Sequence, residues 1–343
     1  MNFEEFIVDH IAQESSTIIS LYVKKKVGNK PVSYLPGQYV AVQVPIGGSL
    51  LIRNYTLSDA PDREHYRLTI KKEPNGLVSN YVHNEIKIGS TLKVSSPMGN
   101  FYLATENEDP VLFLSAGVGI TPMISMLEYL ALHQPSRKVF FIHSSRSQNE
   151  QPMAQRLKEL ANKMVGVEMQ IHHTQPADGE ISGVDYDVCG RVEYRHLKKR
   201  LAGLTKLVCY ICGPIDFMKV MTGDLMQLGL SKQQVKQEFF VLNQNEQPHP
   251  KEEIVRPSTL HQVHFVKSER KIVWDHSKQN ILELAESVGV QATSSCRIGT
   301  CATCETNLLK GKVSYNPEPF MEPQFGKIFI CCAKPDTNIE ILL

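Results

Sequence analysis

The sequence has almost no excess charge of either sign. Lys and Arg number 37 and Asp and Glu 36, a formal net charge of +1 over 343 residues. A polyanion binder driven by bulk charge is thereby excluded, and no nucleic-acid partner is expected. Cysteine is missing where a cross-linked secreted framework would need it. None precedes Cys189, Cys209 and Cys212 follow, and the other five (Cys296, Cys301, Cys304, Cys331, Cys332) fall in the last 48 residues. That crowding points to a metal in one domain rather than to disulfides along the chain. The opening residues, MNFEEFIVDH, contain three acids and no basic run, so no signal sequence is expected. Long apolar runs are also lacking. The uncharged stretch 111–127, VLFLSAGVGITPMISML, is short for a span and is broken by two Gly and a Pro. It reads as a buried strand, a tight Gly loop and the start of a helix, and no membrane span is expected. A reducing compartment such as the cytoplasm fits free thiols or thiolate ligands.

With 42% hydrophobic and 21% charged residues, the chain is not a disordered one, and its length suits two or three domains. Residues 15–108 read as short strands (Ile18–Val23, Gln38–Val44, Tyr66–Lys71, Thr91–Val94) punctuated by Gly and Pro, the spacing of a small barrel or sandwich. From Asp109 the texture changes. Strands at Val111–Leu114, Val139–Ile142, Val167–Ile171 and Leu207–Cys212 alternate with helical segments at Ile124–Leu132, Pro152–Lys163, Leu197–Leu201 and Asp216–Leu228. Such alternation predicts an α/β parallel sheet with helices on both faces. Residues 241–258 have a polar, Pro-containing linker composition, and 259–343 form a small third unit with a hairpin (His261–Val266, Arg270–Trp274), a helix (Asn280–Ser287) and short strands at Lys312-Val313 and Lys327–Ile330. There is no internal repeat. The domains expected are therefore 1–108, 109–240 and 259–343, with 241–258 as linker.

Cys296, Cys301 and Cys304 form C-x4-C-x2-C in one loop, with Cys331 a further 27 residues on. This is the plant-type spacing of a [2Fe-2S] cluster. Three thiolates from a tight loop hold one side, and a fourth from a later segment closes the other. Gly299 lets the loop turn so that N–H groups face sulfur. A zinc site is the alternative, but zinc sites favour paired knuckles and only Cys301/Cys304 make one. The fourth ligand is open between Cys331 and Cys332, since neighbours in a strand point to opposite faces. Cys189 and Cys209 read as small buried residues.

The Gly117-Val118-Gly119 turn between strand and helix suits close approach of a pyrophosphate. It is short of the full G-x-G-x-x-G fingerprint, and no Walker A lysine is present. Cys212-Gly213-Pro214 is a second sharp strand-to-helix turn. Thr121 is suited to N-capping, with Pro122 at the first helical position, and to a nicotinamide contact. In the first domain, Arg53 to Ser58 follows a predicted strand: Arg53 offers a bidentate phosphate partner, Tyr55 a ring for stacking, Thr56 a hydroxyl. Gly76-Leu77-Val78-Ser79 reads as a turn able to seat a phosphate. On composition alone, both segments are equally ordinary strand and turn.

Taken together, these pieces resemble the ferredoxin-NADP(+) reductase superfamily fused to a C-terminal plant-type ferredoxin, and residues 10–240 are most similar to the reductase half of flavohaemoglobins. The flavin motif R-x-Y-[ST] is matched by Arg53, Tyr55 and Thr56, and the second flavin-phosphate motif by Gly76 to Ser79 with Val78. Pro97–Phe101 matches the turn after the last barrel strands. Ser115-Ala116-Gly117-Val118-Gly119-Ile120-Thr121-Pro122 matches the nicotinamide loop, departing from its commonest form at Ser115 and Ala116. Cys212-Gly213-Pro214, Glu238 and Phe240 match the elements beside nicotinamide and flavin, and Asp185-Tyr186-Asp187 with Gly190-Arg191 matches a further flavohaemoglobin stretch. The final ferredoxin Cys stands four residues before a Pro; Cys331 and Pro335 satisfy this, and Cys332 does not. The resemblance implies an antiparallel β-barrel flavin domain, a parallel-sheet nucleotide domain and a β-grasp ferredoxin domain. It also implies FAD, a [2Fe-2S] cluster held by Cys296, Cys301, Cys304 and Cys331, and NADH or NADPH as donor.

The activity it implies is electron transfer from the nicotinamide through flavin and cluster to a partner oxygenase, desaturase or hybrid-cluster protein. No side chain acts as acid or base; Thr56, Thr121, Cys212 and Glu238 position the reactants, and Ser58 lies in the flavin segment. Arg146, after the second nucleotide-domain strand, is suited to a 2′-phosphate, yet similar NADH-using reductases carry Arg there, so the coenzyme stays open, as does the oligomeric state. An iron-sulfur sensor, and a stand-alone NAD(P)H:acceptor reductase working on a quinone or small molecule, are the competing readings. Glu283, Glu286, Glu305, Glu318 and Glu322 suggest an acidic face that steers a basic partner.

Overall fold

The computed structural model describes residues 2–240 save 29, 62 and 205, and residues 261–343 save 276, 293, 295–298, 300–303, 317, 320 and 321. The linker read at 241–258, and the ligand positions Cys296 and Cys301, lie outside the described residues. The chain divides into two compact units, 1–240 and 241–343.

The first unit begins with β1 (Phe3–Ser15), β2 (Ile18–Lys25), β3 (Tyr39–Ile46), β4 (Ser49–Thr56), β5 (Tyr66–Lys71), helix α1 (Leu77–Glu85) and β6 (Thr91–Ser95). The six strands form one antiparallel sheet in the order β4-β3-β6-β1-β2-β5. An antiparallel bridge between Leu57, just past β4, and Leu68 of β5 links its two edge strands. Alternation sends Phe6, Val8, Leu21, Val23, Val40, Val42, Leu68 and Ile70 into one core. Among these elements, β1 and α1 are not read from the sequence. Strand β1 buries only Phe6 and Val8 and is otherwise rich in acids. The Gly76–Ser79 segment is not a bare turn: Gly76 is the N-cap of α1, and Leu77 to Ser79 are its first turn. Arg53 to Thr56 likewise lie within β4 rather than after a strand.

The same unit continues with β7 (Val111–Ala116), α2 (Ile120–His133), β8 (Val139–Ser145), α3 (Ala154–Lys163), β9 (Val167–His173), β10 (Val188–Cys189), α4 (Tyr194–Leu201), β11 (Val208–Cys212), α5 (Ile215–Gln227) and β12 (Val235–Glu238). All six strands are parallel, in the order β10-β9-β8-β7-β11-β12. Strand order moves outward from β7 in both directions, so right-handed crossovers place α2 and α3 on one face and α4 and α5 on the other. Strands β7 and β8 are buried almost throughout, as a sheet covered on both faces requires. Phe113, Phe141 and Tyr210 are the largest buried side chains here, each stabilising by roughly 1.5–3 kcal/mol. Helix α2 is apolar nearly all round and correspondingly buried. Thr121 is not its N-cap: a 3-10 turn at Gly117–Gly119 runs straight into α2, so Gly119 caps it, and the Thr121 hydroxyl donates to Val118 O at 3.1 Å. Cys209 is buried as expected, but Cys189 is exposed, because β10 is a two-residue strand at the sheet's edge.

The second unit contains β13 (Gln262–Phe265), β14 (Arg270–Val273), α6 (Ile281–Ser287), β15 (Glu305–Lys310), β16 (Val313–Tyr315), β17 (Lys327–Phe329), β18 (Ala333–Pro335) and β19 (Ile339–Ile341). Five strands make a mixed sheet, β14-β13-β19-β15-β17, with β13 and β19 parallel at its centre, and β16 pairs with β18. Asn280 caps α6 by accepting the Glu283 N–H. Phe265, Trp274, Ile281, Leu284, Phe329 and Ile341 build a core that also takes in Cys304, Cys331 and Cys332.

Candidate functional site

In the first sheet, Arg53 and Tyr55 share one face of β4 by strand alternation, opposite Val42 and Val40 of β3. Both are half-buried, and burial pushes the Tyr55 phenol up, with Arg53 opposing. Thr56 and Ser58 are buried at the strand's end. Helix α1 packs on β3 and β4, which brings the Gly76–Ser79 turn to this strand. The Ser79 hydroxyl donates to Gly76 O (3.1 Å) and accepts from Glu73 N (3.2 Å). A Cβ on Gly76 would stand 2.3 Å from the Ser79 oxygen. The first turn of α1 thus presents backbone N–H groups, a ready anion site.

At the carboxyl edge of the parallel sheet, Glu238, Cys212 and Ser115 lie side by side on β12, β11 and β7, and His143 of β8 completes the row. The Gly117–Gly119 turn and Cys212-Gly213-Pro214 therefore leave neighbouring strands at one edge, where open α/β sheets bind ligands. They touch: a Cβ on Gly119 would meet Cys212 O at 2.4 Å and Gly213 N at 2.8 Å. Gly117 has φ +55 and open space around its missing Cβ. Burial, reinforced by Glu238, pushes the Cys212 thiol well up, so it stays protonated and is no nucleophile. Thr121 and Pro122 are buried in the first turn of α2. Phe240, two residues past β12, is half-buried against the nucleotide-domain core. Arg146 is 71% exposed beyond β8 and stands 3.7 Å from Glu150.

Two groups of residues were not found from the sequence. The first is a set of buried histidines on β8 and β9. The ring Nδ1 of His143 is 2.8 Å from the Ser115 hydroxyl, and His173 lies between Glu180 (2.5 Å) and Gln151 (2.8 Å). Burial, with His173 and His172 nearby, pushes His143 down to about 3; burial takes His172 to about 4 against the pull of the Gly190 carbonyl. Both are neutral at pH 7, and both folded values lie below the ordinary 6.5. Their contribution to stability is therefore full above about pH 6.5 and is lost as pH falls through that range, by about 2 kcal/mol per ring at pH 5. His143→Asn is expected to flatten the fall in Tm between pH 7 and pH 5; an unchanged slope would refute this.

The second group joins the two sheets of the first unit. Arg67 of β5 and Arg156 of α3 both donate to Glu128 Oε1 of α2, at 2.8 and 2.9 Å. Burial raises the Glu128 carboxyl despite Arg67. Burial acts the same way on Asp59, but His65, Glu128 and Arg67 outweigh it and hold that carboxyl low. A charged residue in the middle of an apolar helix, as in Ile120–His133, was the signal available.

In the second unit, Cys304 Sγ and Cys331 Sγ are 3.0 Å apart, and the Gly299 N–H points at Cys331 Sγ (3.1 Å). Gly299 has φ +69, and a Cβ there would stand 2.8 Å from Cys332 Sγ. Cys331 and Cys332 occupy a turn between β17 and β18 rather than a strand, and both are buried. Two converging thiols that receive a backbone N–H are a donor set suited to an iron-sulfur centre. The acidic face is thinner than its sequence suggests: Glu305 pairs with Lys327 at 3.1 Å and accepts the Gln324 N–H.

Comparison with known proteins accounts for each sheet. Residues 5–102 match the oxidoreductase FAD-binding domain family, residues 113–222 the oxidoreductase NAD-binding domain family, and residues 264–336 the 2Fe-2S iron-sulfur cluster binding domain family. A flavohemoprotein of Bacillus cereus is 37% identical over 246 residues, covering 70% of this chain and 61% of the relative, so the match spans about three-fifths of that protein. The crystal structure of the flavohem-like FAD/NAD-binding domain of nitric oxide dioxygenase from Vibrio cholerae is 32% identical with a TM-score of 0.63, covering 70% of this chain and 99% of that one. Phthalate dioxygenase reductase, at 21% identity, shares the fold over 100% of this chain and 98% of its own, with a TM-score of 0.69. The cofactors are accordingly FAD, a nicotinamide dinucleotide and a 2Fe-2S cluster. The chain belongs to the ferredoxin-NADP(+) reductase superfamily, as a flavin- and nicotinamide-dependent oxidoreductase module fused to a 2Fe-2S domain.

Proposed function

We propose that this chain takes electrons from NADH or NADPH and delivers them singly, through FAD and the 2Fe-2S cluster, to a separate redox protein such as an oxygenase, a desaturase or a hybrid-cluster protein. The observation that carries this reading is the carboxyl edge of the parallel sheet. There the Gly119 turn lies against Cys212-Gly213 with Glu238 alongside, in the same compact unit as the Arg53–Thr56 strand. Bound FAD supplies the exchange between two-electron nicotinamide chemistry and one-electron iron-sulfur chemistry. Arg53 and the first turn of α1 would hold its phosphates, Tyr55 would offer its ring to the flavin, and Thr56 and Ser58 fix the strand end. Gly117, Gly119, Thr121 and Pro122, with Cys212, Gly213 and Pro214, receive the nicotinamide coenzyme, while Glu238 and Phe240 border the space between the two. Cys304 and Cys331, with Cys296 and Cys301, hold the cluster.

In this reading the Leu57–Leu68 bridge closes the first sheet into a barrel, the mixed sheet around β13 and β19 is a β-grasp, and the protein works in a reducing compartment such as the cytoplasm. Arg146 selects NADPH only if its guanidinium leaves Glu150 for a 2′-phosphate. An anaerobic titration of the reconstituted protein with NADH and NADPH in parallel tests the whole path, with absorbance following the flavin and EPR the cluster. Flavin bleaching followed by a reduced-cluster signal is expected. Flavin reduction with no cluster signal in iron-replete protein would overturn it.

A further inference from the structure

Three residues share one face of α2, at successive spacings of four and three, and that face carries the side-chain bonds to the first sheet. They are Thr121, Ser125 and Glu128, all buried. Two of them are bolted to it. The Ser125 hydroxyl donates to Asp59 O at 2.7 Å, the same carbonyl that Tyr34 reaches at 2.7 Å. Glu128 Oε1 accepts from Arg67 Nη2, and Arg67 in turn donates through Nη2 to Ser58 O and through Nε to the Ser58 hydroxyl. His65 and Arg63 brace Asp59 from its own loop, at 3.0 and 3.6 Å, and Arg156 braces Glu128 from α3. The side chains of Arg67, Glu128 and Asp59 are only 6%, 1% and 7% exposed, so the network sits out of water. Its two ends are the chemically important ones. Ser58 is two residues beyond Thr56 in the flavin strand, and α2 begins directly after the Gly117–Gly119 turn.

We infer that the Arg67–Glu128 pair and Ser125 are positioning residues that set the nicotinamide loop at its working distance from the flavin strand. This rests on the proposed function of the first unit. A buried ion pair adds little net stability over apolar residues of similar volume, so a packing role alone gives no reason for charge here. Geometry does, because a misplacement of about 1 Å between reactants costs on the order of a hundredfold in rate.

The test uses the full holoprotein. Ser125→Ala removes one bolt with little risk to folding, and the double variant Arg67→Met/Glu128→Leu removes both charges and keeps the volume. FAD content, KM for the coenzyme and transfer from photoreduced flavin to the cluster should stay as in the unaltered protein. The rate of flavin reduction at saturating coenzyme, by anaerobic stopped flow, should fall roughly threefold in Ser125→Ala and ten- to a hundredfold in the double variant. The long-wavelength absorbance of stacked nicotinamide and flavin should weaken in step. If both variants reduce flavin at the unaltered rate and differ only in Tm, the inference is wrong; if the double variant loses its flavin, Ser125→Ala decides alone. If the unaltered protein does not reduce its flavin with either coenzyme, the functional reading fails instead.

Discussion

Cys331→Ala is expected to yield a protein that keeps its flavin, still bleaches with NAD(P)H and has lost its iron, with no reduced-cluster EPR signal. Cys332→Ala, one residue away, is expected to keep both. The two thiols are equally buried, so burial does not separate them. Partners do. Cys331 Sγ lies 3.0 Å from Cys304 Sγ and takes the Gly299 N–H, whereas Cys332 Sγ approaches the Phe329 carbonyl at 3.5 Å. A cluster ligand must converge with other thiolates and be fed by backbone donors, and among the described residues Cys331, not Cys332, makes such contacts. The residual flavin reduction follows from the chain's division: the flavin and nicotinamide elements lie in 1–240 and the thiols in 241–343. Iron analysis and EPR on both variants check this, and a Cys331→Ala protein with an intact cluster would remove the assignment.

The second large effect concerns Gly119. Gly119→Ala is expected to lower kcat/KM for the coenzyme by about a hundredfold while FAD stays bound. The reason is space, not handedness. The added Cβ would meet Cys212 O at 2.4 Å, Cys212 C at 2.6 Å and Gly213 N at 2.8 Å. All three are backbone atoms of a strand end, so none swings aside, and the β7 turn must move off β11. Gly117 gives the contrast. Its φ of +55 needs a left-handed residue, yet beyond its chain neighbours no atom of the described residues lies within 4 Å of its missing Cβ. Gly117→Ala therefore carries only about 1–2 kcal/mol of backbone strain unless the coenzyme itself fills that space. Coenzyme titrations of both variants distinguish the cases. A Gly119→Ala protein with unaltered kcat/KM would mean that this contact plays no part in holding the coenzyme.

Much of this was legible in the sequence. The parallel strands announced themselves as short apolar runs ending in Gly turns, and the thiol spacing points to iron by itself. Helix α1 did not, because Pro74-Asn75-Gly76 looks like a turn and the helix after it buries only Val78, Ser79 and Val82. Strand β1 hid behind its acids, since pairing with both β2 and β6 holds it in place more than apolar content does. Cys189 was read as buried from its type, and edge position overrode type. The ion pair across the two sheets was out of reach for another reason: Arg67 and Glu128 are 61 residues apart, and only tertiary structure pairs them.

The position of β19 governs the order in which the chain can acquire its parts during synthesis. This strand, Ile339–Ile341, lies between β13 and β15 at the centre of the last sheet, and Val263 waits for Ile339 as its partner. Among the described residues, every strand of 1–240 finds its sheet partners within 1–240. On the ribosome, the first unit can fold first, domains generally forming from the amino end. The sheet of the second unit closes only after residue 341 has been made, so it completes later than the sheets of the first unit.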